Sequence, residues 1–214
     1  MSPSPNRHRW YRPVKRAADV VLAALALVVL SPVFAVVALL VYRDLGAPVI
    51  FRQTRPGRHA APFTLFKFRT MATGEHEGVA AVSTDAERTS HLGHILRRTS
   101  LDELPELVNI LRGDMSFVGP RPMLMEYVPL FTPEQARRHE VRPGLTGLAQ
   151  VSGRNALSWE ERFALDVRYV DQYGPLLDLT VLVRTALVVV NKRGAHGDAD
   201  VVLEPFAGTP TDRS

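Results

Sequence analysis

The feature that most constrains this chain is an apolar stretch near its start. From Val20 to Tyr42 every residue is apolar except Ser31 and Pro32. As one straight helix this segment would measure ~34 Å, against ~30 Å for the hydrocarbon core of a bilayer. Three arrangements compete. A cleaved signal peptide could use Val33-Phe34-Ala35 as its site, but the apolar run is long for one, continues past that point and contains a proline. The second arrangement is a spanning helix, and the third is a helix that enters a bilayer and turns back. Pro32 has no N–H for the carbonyl of Val28, and the Ser31 hydroxyl can bond a freed carbonyl, so a bend is expected here.

Charge bears on the choice. Up to Arg58 the chain has nine Lys/Arg against two acids; from His59 onward it has seventeen against twenty. The basic residues flank the apolar run on both sides: Arg7, Arg9, Arg12, Lys15 and Arg16 before it, Arg43, Arg52, Arg55 and Arg58 after it. Lys and Arg near apolar segments tend to stay cytoplasmic, which favours a re-entrant hairpin. Kinked spanning helices are common enough to keep both arrangements open. The net +4 is therefore a local collar and does not point to a nucleic-acid partner. The absence of cysteine excludes disulfides, thiol nucleophiles and Cys-based zinc sites. A chain of 214 residues suits one domain.

Beyond the apolar run, Pro48–Gln53 and Phe63–Phe68 read as a hairpin around a Gly57-containing turn. Met71–Ala86 reads as a mobile loop. Helical patterns cover Glu87–Thr99, Leu107–Leu111, Thr132–Val141 and Ser158–Gln172, the last opening with a Ser158/Glu161 capping box. Phe117-Val118 is a candidate short strand. Leu176–Val190 is apolar but short, and Asp178 and Arg184 interrupt it, so it is either a core helix or an amphipathic helix at an interface.

The densest polar chemistry lies in Arg97–Pro122. Asp102 and Glu103 are adjacent acids before Leu104-Pro105. A residue before proline avoids the α region and proline suits the first helical position, so a helix is expected to begin at Pro105. Paired carboxylates can divide labour between nucleophile or metal ligand and general base. The plainer reading is that Ser100-Leu101-Asp102-Glu103 is only a capping box. Arg97, Arg98, Arg112 and Arg121 surround the pair, and guanidinium forks suit phosphate oxygens. Arg121 sits between two prolines on a stiff backbone. A further polar element is Arg142-Pro143-Gly144-Leu145-Thr146-Gly147, with Gln150, Gly153, Arg154 and Asn155, whose glycines would let a ligand approach. Rossmann and Walker fingerprints are absent. His91 and His94 share helical spacing but lack a third ligand, and are expected at the surface. Carboxylates beside phosphate sites point to Mg2+.

These motifs resemble those of the bacterial sugar transferases, the monotopic phosphoglycosyl transferases. The resemblance runs from about Lys15 to Gly197. It rests on Lys15, Arg16 and Asp19 entering an apolar helix broken at Ser31-Pro32, and on Phe66-Lys67-Phe68-Arg69-Thr70-Met71. It rests equally on Arg98–Pro105, Gly113–Pro122 and Arg142–Gly147. It implies a monotopic, helix-rich α+β fold at the cytoplasmic face of the bacterial inner membrane, with a re-entrant membrane helix, a small β-hairpin and amphipathic interfacial helices. The implied plan is a flexible basic arm (1–16), a re-entrant helix (17–45), a catalytic domain (46–205) and a disordered tail (206–214).

The implied activity moves a sugar-1-phosphate from a UDP-sugar to polyprenyl (undecaprenyl) phosphate and releases UMP, an early membrane step of polysaccharide or glycan assembly. Asp102 would be the nucleophile that carries the phosphosugar, Glu103 would assist the second transfer, and Mg2+ would be held near Asp102. Lys67, Arg69, Arg98, Arg112 and Arg121 would face phosphates. Arg142, Gln150 and Asn155 would contact the nucleotide side. A homodimer is an additional expectation. A competing reading from another class is a non-catalytic membrane-tethered binder of anionic polymer, motivated by the basic arm alone.

Overall fold

The computed structural model of the protein describes residues 10–72, 88–153, 156–191 and 205–209. Helix α1 (Tyr11–Val29) and helix α2 (Ser31–Leu45) are joined at Leu30 and bent by 63°. The cause is the expected one. The Ser31 hydroxyl donates to the Val28 carbonyl at 2.8 Å, the group that Pro32 leaves without an N–H partner. Among the described residues no single helix is long and apolar enough to cross a membrane, while the bent pair together has the length and composition to do so.

The flexible arm expected over 1–16 is helical from Tyr11 onward; residues 1–9 lie outside the described residues. Tertiary contacts order this start. The Tyr11 hydroxyl donates to Asp178 at 2.8 Å, Lys15 pairs with the same carboxylate, and Arg12 Nε donates to the Tyr173 hydroxyl at 2.8 Å. Tyr169 reaches the other Asp178 oxygen at 2.7 Å. Asp178 thus engages three side chains, in a stretch where it first read as an interruption.

Strands β1 (Ile50–Pro56) and β2 (Pro62–Phe68) form the expected antiparallel hairpin, with Phe51 opposite Lys67. The 71–86 loop falls largely outside the described residues. Helix α3 (His91–Thr99) is capped by Ser90, whose hydroxyl accepts from Gly93 N at 2.9 Å. Gly93 is required here: a Cβ would stand 2.1 Å from the Thr70 carbonyl oxygen. His91 and His94 are exposed on this helix.

Helix α4 (Glu106–Arg112) follows a 3-10 turn at Leu101–Glu103. Leu104, just before Pro105, is in the α region (φ −52°, ψ −40°), against the expectation for that position. The chain passes from the 3-10 turn into α4 without leaving helical geometry. Helix α4 has seven residues, and Arg16 caps its end by donating to Ile110 O at 2.6 Å and Leu111 O at 2.8 Å.

Strand β3 (Ser116–Val118) pairs in parallel with β4 (Gly144–Thr146). Between them lie α5 (Pro133–Ala136) and the 3-10 turn Arg137–Glu140, and after them α6 (Leu148–Ser152), α7 (Trp159–Gln172) and α8 (Pro175–Asn191). Ser158 and Glu161 form the expected capping box. Helix α8 is amphipathic in an unusual sense. Val181 and Asp178 are buried on one face, while Leu176 (80% exposed), Leu179, Val183 and Leu187 line the other. The tail expected from 206 begins inside the protein, because Phe206 is buried against Tyr127, Trp159 and Phe163.

Candidate active site

Three segments bring the charged cluster together. Strand β2 carries Lys67, the 3-10 turn carries Asp102 and Glu103, and the chain leaving β3 carries Arg121. Ser100 explains why the acids sit where they do. It ends α3 in the left-handed region (φ 59°), which turns the chain sharply into the 3-10 turn, and its side chain makes no cap there. The capping-box reading of Ser100–Glu103 therefore does not hold.

Glu103 instead accepts from Lys67 Nζ at 2.8 Å and from Arg121 Nη2 at 2.7 Å. A third carboxylate, Glu106, stands 3.2 Å from the same ammonium and is only 2% exposed. Asp102 is 7% exposed, and no side-chain hydrogen bond or ion pair engages its carboxylate among the described residues.

The electrostatics divide the three acids. Burial alone would raise Glu103, but Arg121 and Lys67 outweigh it and hold its carboxyl far below the usual range. Burial raises Glu106, helped by the Glu103 charge and only partly opposed by Lys67. Burial also raises Asp102, with Lys67 pulling the other way. The two cations gain correspondingly: Glu103 drives Arg121 up, and Glu103 and Glu106 keep Lys67 above its ordinary value despite burial.

Sequence reasoning missed the supports. Glu106 is one turn past Glu103. Arg55, counted only as a flanking charge, lies beside Arg121, and burial and that charge push it down to about 10. Arg138 forms a buried ion pair with Asp166 at 2.7 Å and donates to the Arg121 carbonyl at 2.8 Å, so it holds the backbone beneath the clamp. Asn109, fully buried, fixes β2 by donating to Thr64 O at 2.7 Å and accepting from Phe66 N at 3.1 Å. No pattern in the sequence marks an isolated Asn or an Arg/Asp pair 28 positions apart.

Other expected site residues lie elsewhere. Arg69 is buried and donates to the carbonyls of Leu45, Gly46 and Ala47, tying the end of α2 to β2. Arg112 packs its guanidinium over the Phe66 ring at 5.1 Å. Arg98 is exposed in the last turn of α3. Arg142 donates to Gly113 O at 2.7 Å and lines a separate cleft against α1. Gln150 donates to Leu145 O at 3.1 Å. Asn155 lies outside the described residues. The glycines of the Arg142 loop serve a backbone crossing: a Cβ at Gly144 would lie 2.1 Å from Gly119 N.

No group of three or more His, Cys, Asp or Glu among the described residues is arranged to hold a metal ion. Mg2+ asks for less, since it commonly binds through one or two carboxylates plus substrate phosphates and water. Asp102 meets that requirement. Glu103 and Glu106 are committed to Lys67 and Arg121.

The chain matches the family described as bacterial sugar transferase over residues 10–192. It is 46% identical over 196 residues to the "Uncharacterized sugar transferase EpsL" of Bacillus subtilis, covering 92% of this chain and 96% of that one. It is 42% identical over 191 residues to the "UDP-glucose:undecaprenyl-phosphate glucose-1-phosphate transferase" of Caulobacter vibrioides, covering 85% and 72%. It is 38% identical over 198 residues to the "Exopolysaccharide production protein ExoY" of Sinorhizobium fredii, covering 85% and 88%.

Proposed function

The chain belongs to the bacterial sugar transferase family and is a transferase, and we propose that it passes a sugar-1-phosphate from a UDP-sugar to polyprenyl (undecaprenyl) phosphate. The observation that carries this reading is the contrast between two neighbouring acids. Glu103 is locked between Lys67 and Arg121, while the Asp102 carboxylate stands beside that cationic pair with no hydrogen-bond or ion-pair partner of its own among the described residues.

In the first step an Asp102 oxygen attacks the phosphorus that bears the sugar. The bond to the bridging oxygen breaks, UMP leaves with that oxygen, and an aspartyl phosphosugar remains. In the second step a phosphate oxygen of the polyprenyl acceptor attacks the same phosphorus and the bond to Asp102 breaks. The carboxylate is regenerated and a lipid diphosphosugar departs. Lys67 and Arg121 neutralise charge on the phosphoryl oxygens, and they need no reorganisation because Glu103 and Glu106 already hold them. Glu103, kept ionised by two cations, is suited to orient them. Mg2+ held by Asp102 would supply further charge neutralisation of the diphosphate.

Exposed apolar surface supports a lipid acceptor. Val21, Leu25, Val28 and Val29 on α1, Val36 and Leu39 on α2, and Leu176, Leu179 and Leu187 on α8 are all exposed. So much exposed apolar surface marks an interaction site, and a bilayer suits it. On this reading the α1–α2 pair, bent by 63° at Ser31-Pro32, is a re-entrant hairpin and the site faces the cytoplasm at the inner membrane. The anionic-polymer binder rested on charge alone and is not favoured by any contact around Asp102.

The test is to incubate the protein with undecaprenyl phosphate and a panel of UDP-sugars and to measure UMP. UMP release that requires both Asp102 and a UDP-sugar supports the reading. Release of UDP instead would replace it with a direct glycosyl transfer.

A further inference from the structure

A second cationic site lies away from Asp102. A cleft of about 70 Å3 opens between α1, β3, the 3-10 turn Arg137–Glu140 and α7. A single water needs about 10–15 Å3 of such space, so the cleft has room for one tetrahedral anion. Arg12, Lys15, Arg16, Arg58 and Arg142 line it, against Asp19 and Glu140. None of Lys67, Asp102, Glu103, Glu106 or Arg121 does.

Both acids are engaged elsewhere: Asp19 accepts from Phe117 N at 3.2 Å, and Glu140 pairs with Arg137 at 3.3 Å. Arg12, Arg58 and Arg142 each anchor through Nε, to the Tyr173 hydroxyl, Glu140 O and Gly113 O. This leaves the Nη ends of their guanidiniums for a ligand. The crowding is unfavourable as it stands, since Arg16 and Arg58 add to burial in lowering the pKa of Arg142. An independent observation points the same way. Ser116 lines the cleft, is 1% exposed, and its hydroxyl has no hydrogen-bond partner among the described residues. A buried hydroxyl without a partner is costly unless a ligand supplies one.

We propose that this cleft binds a single phosphate group, separately from the Asp102 centre, through the Arg12, Arg58 and Arg142 forks and the Ser116 hydroxyl. Guanidinium forks match phosphate oxygens geometrically. The phosphate belongs either to an anionic phospholipid headgroup or to a free phosphate. Helix α1 carries Arg12, Lys15 and Arg16 directly before its exposed apolar residues, so the mouth of the cleft adjoins that surface.

The test uses the full chain in detergent. Native mass spectrometry with equimolar phosphatidylglycerol and phosphatidylcholine reads lipid retention, and a thermal shift with inorganic phosphate reads the free anion. Retention of one phosphatidylglycerol, weakened about tenfold by Arg58→Gln or Arg142→Gln and lowered also by Ser116→Ala, supports the site with a lipid source. Stabilisation by inorganic phosphate without phosphatidylglycerol retention, lost in the same variants, supports it with a soluble source. Binding of neither, binding indifferent to these variants, or binding lost in Asp102→Asn overturns it. Arg58 sits in the hairpin turn, so Arg58→Gln decides if Arg142→Gln does not fold. Asp102→Asn separates this site from the transferase reading, which that variant abolishes while leaving the cleft intact.

Discussion

Arg121 and Glu103, eighteen positions apart, meet at 2.7 Å, and the Glu103 oxygen that accepts from Arg121 also accepts from Lys67. One carboxylate oxygen therefore sets the position of both cations nearest Asp102. Replacing Glu103 by Gln keeps the shape and removes the charge that gathers them. UMP release by Glu103→Gln is expected to fall about a hundredfold or more, the scale of misplaced catalytic groups. Turnover at the parent rate would show that the cations hold their places without it.

Glu106 gives a pH signature. Its carboxyl is raised from 4.5 to about 7, chiefly by burial. A carboxyl raised on folding favours the native state while protonated, so this stability is present at low pH and is lost as pH rises through about 7. Glu103 is shifted the opposite way, so its contribution is present above 4.5 and is lost only at lower pH. Between pH 5.5 and 8 the stability of Glu106→Gln should therefore rise relative to the parent, by roughly 1–3 kcal/mol. Urea unfolding in detergent at the two pH values measures it, and a difference that does not change with pH contradicts the assignment.

The Arg138–Asp166 pair is 1% and 3% exposed in its side chains and supports the Arg121 backbone. Asp166→Ala leaves a buried guanidinium unpaired and is expected to destabilise by about 3–5 kcal/mol. A melting temperature within a degree or two of the parent would contradict that.

The Ser31–Val28 hydrogen bond and the 63° bend make a topological prediction. The chain has no cysteine, so Ser4→Cys and Ala60→Cys can be labelled singly. Both should react from the same side of the membrane. In a Ser31→Ala/Pro32→Ala background the break is removed and the two positions should move to opposite sides. Opposite-side labelling in the parent rules out the hairpin.

Elements with a local cause were legible in the sequence. Pro32 with Ser31 foretold the bend, Ser158 with Glu161 the start of α7, and two short β-like runs around a Gly57-containing turn the β1–β2 hairpin. Asp102 and Glu103 stood out because they are adjacent among arginines. What escaped depends on tertiary placement. Residues 11–16 looked flexible because nothing local orders them; Asp178, 167 positions from Tyr11, does. The resemblance set Arg69 among the phosphate ligands, yet the carbonyls of Leu45, Gly46 and Ala47 occupy its guanidinium. The glycines at 144 and 147 read as room for a ligand, and the room is filled by Gly119. Glu106 is hidden in sequence because a single acid in the first turn of a helix ordinarily serves the helix dipole.

The central claim is that Asp102 carries the phosphosugar. Intact-protein and peptide mass spectrometry after incubation with UDP-sugar, in the absence of polyprenyl phosphate, tests it directly. A sugar-phosphate adduct is expected on the peptide containing Asp102, formed together with UMP, discharged when acceptor is added, and absent in Asp102→Asn. An adduct that persists in Asp102→Asn, or UMP release that occurs only when acceptor is present and without any adduct, would contradict it.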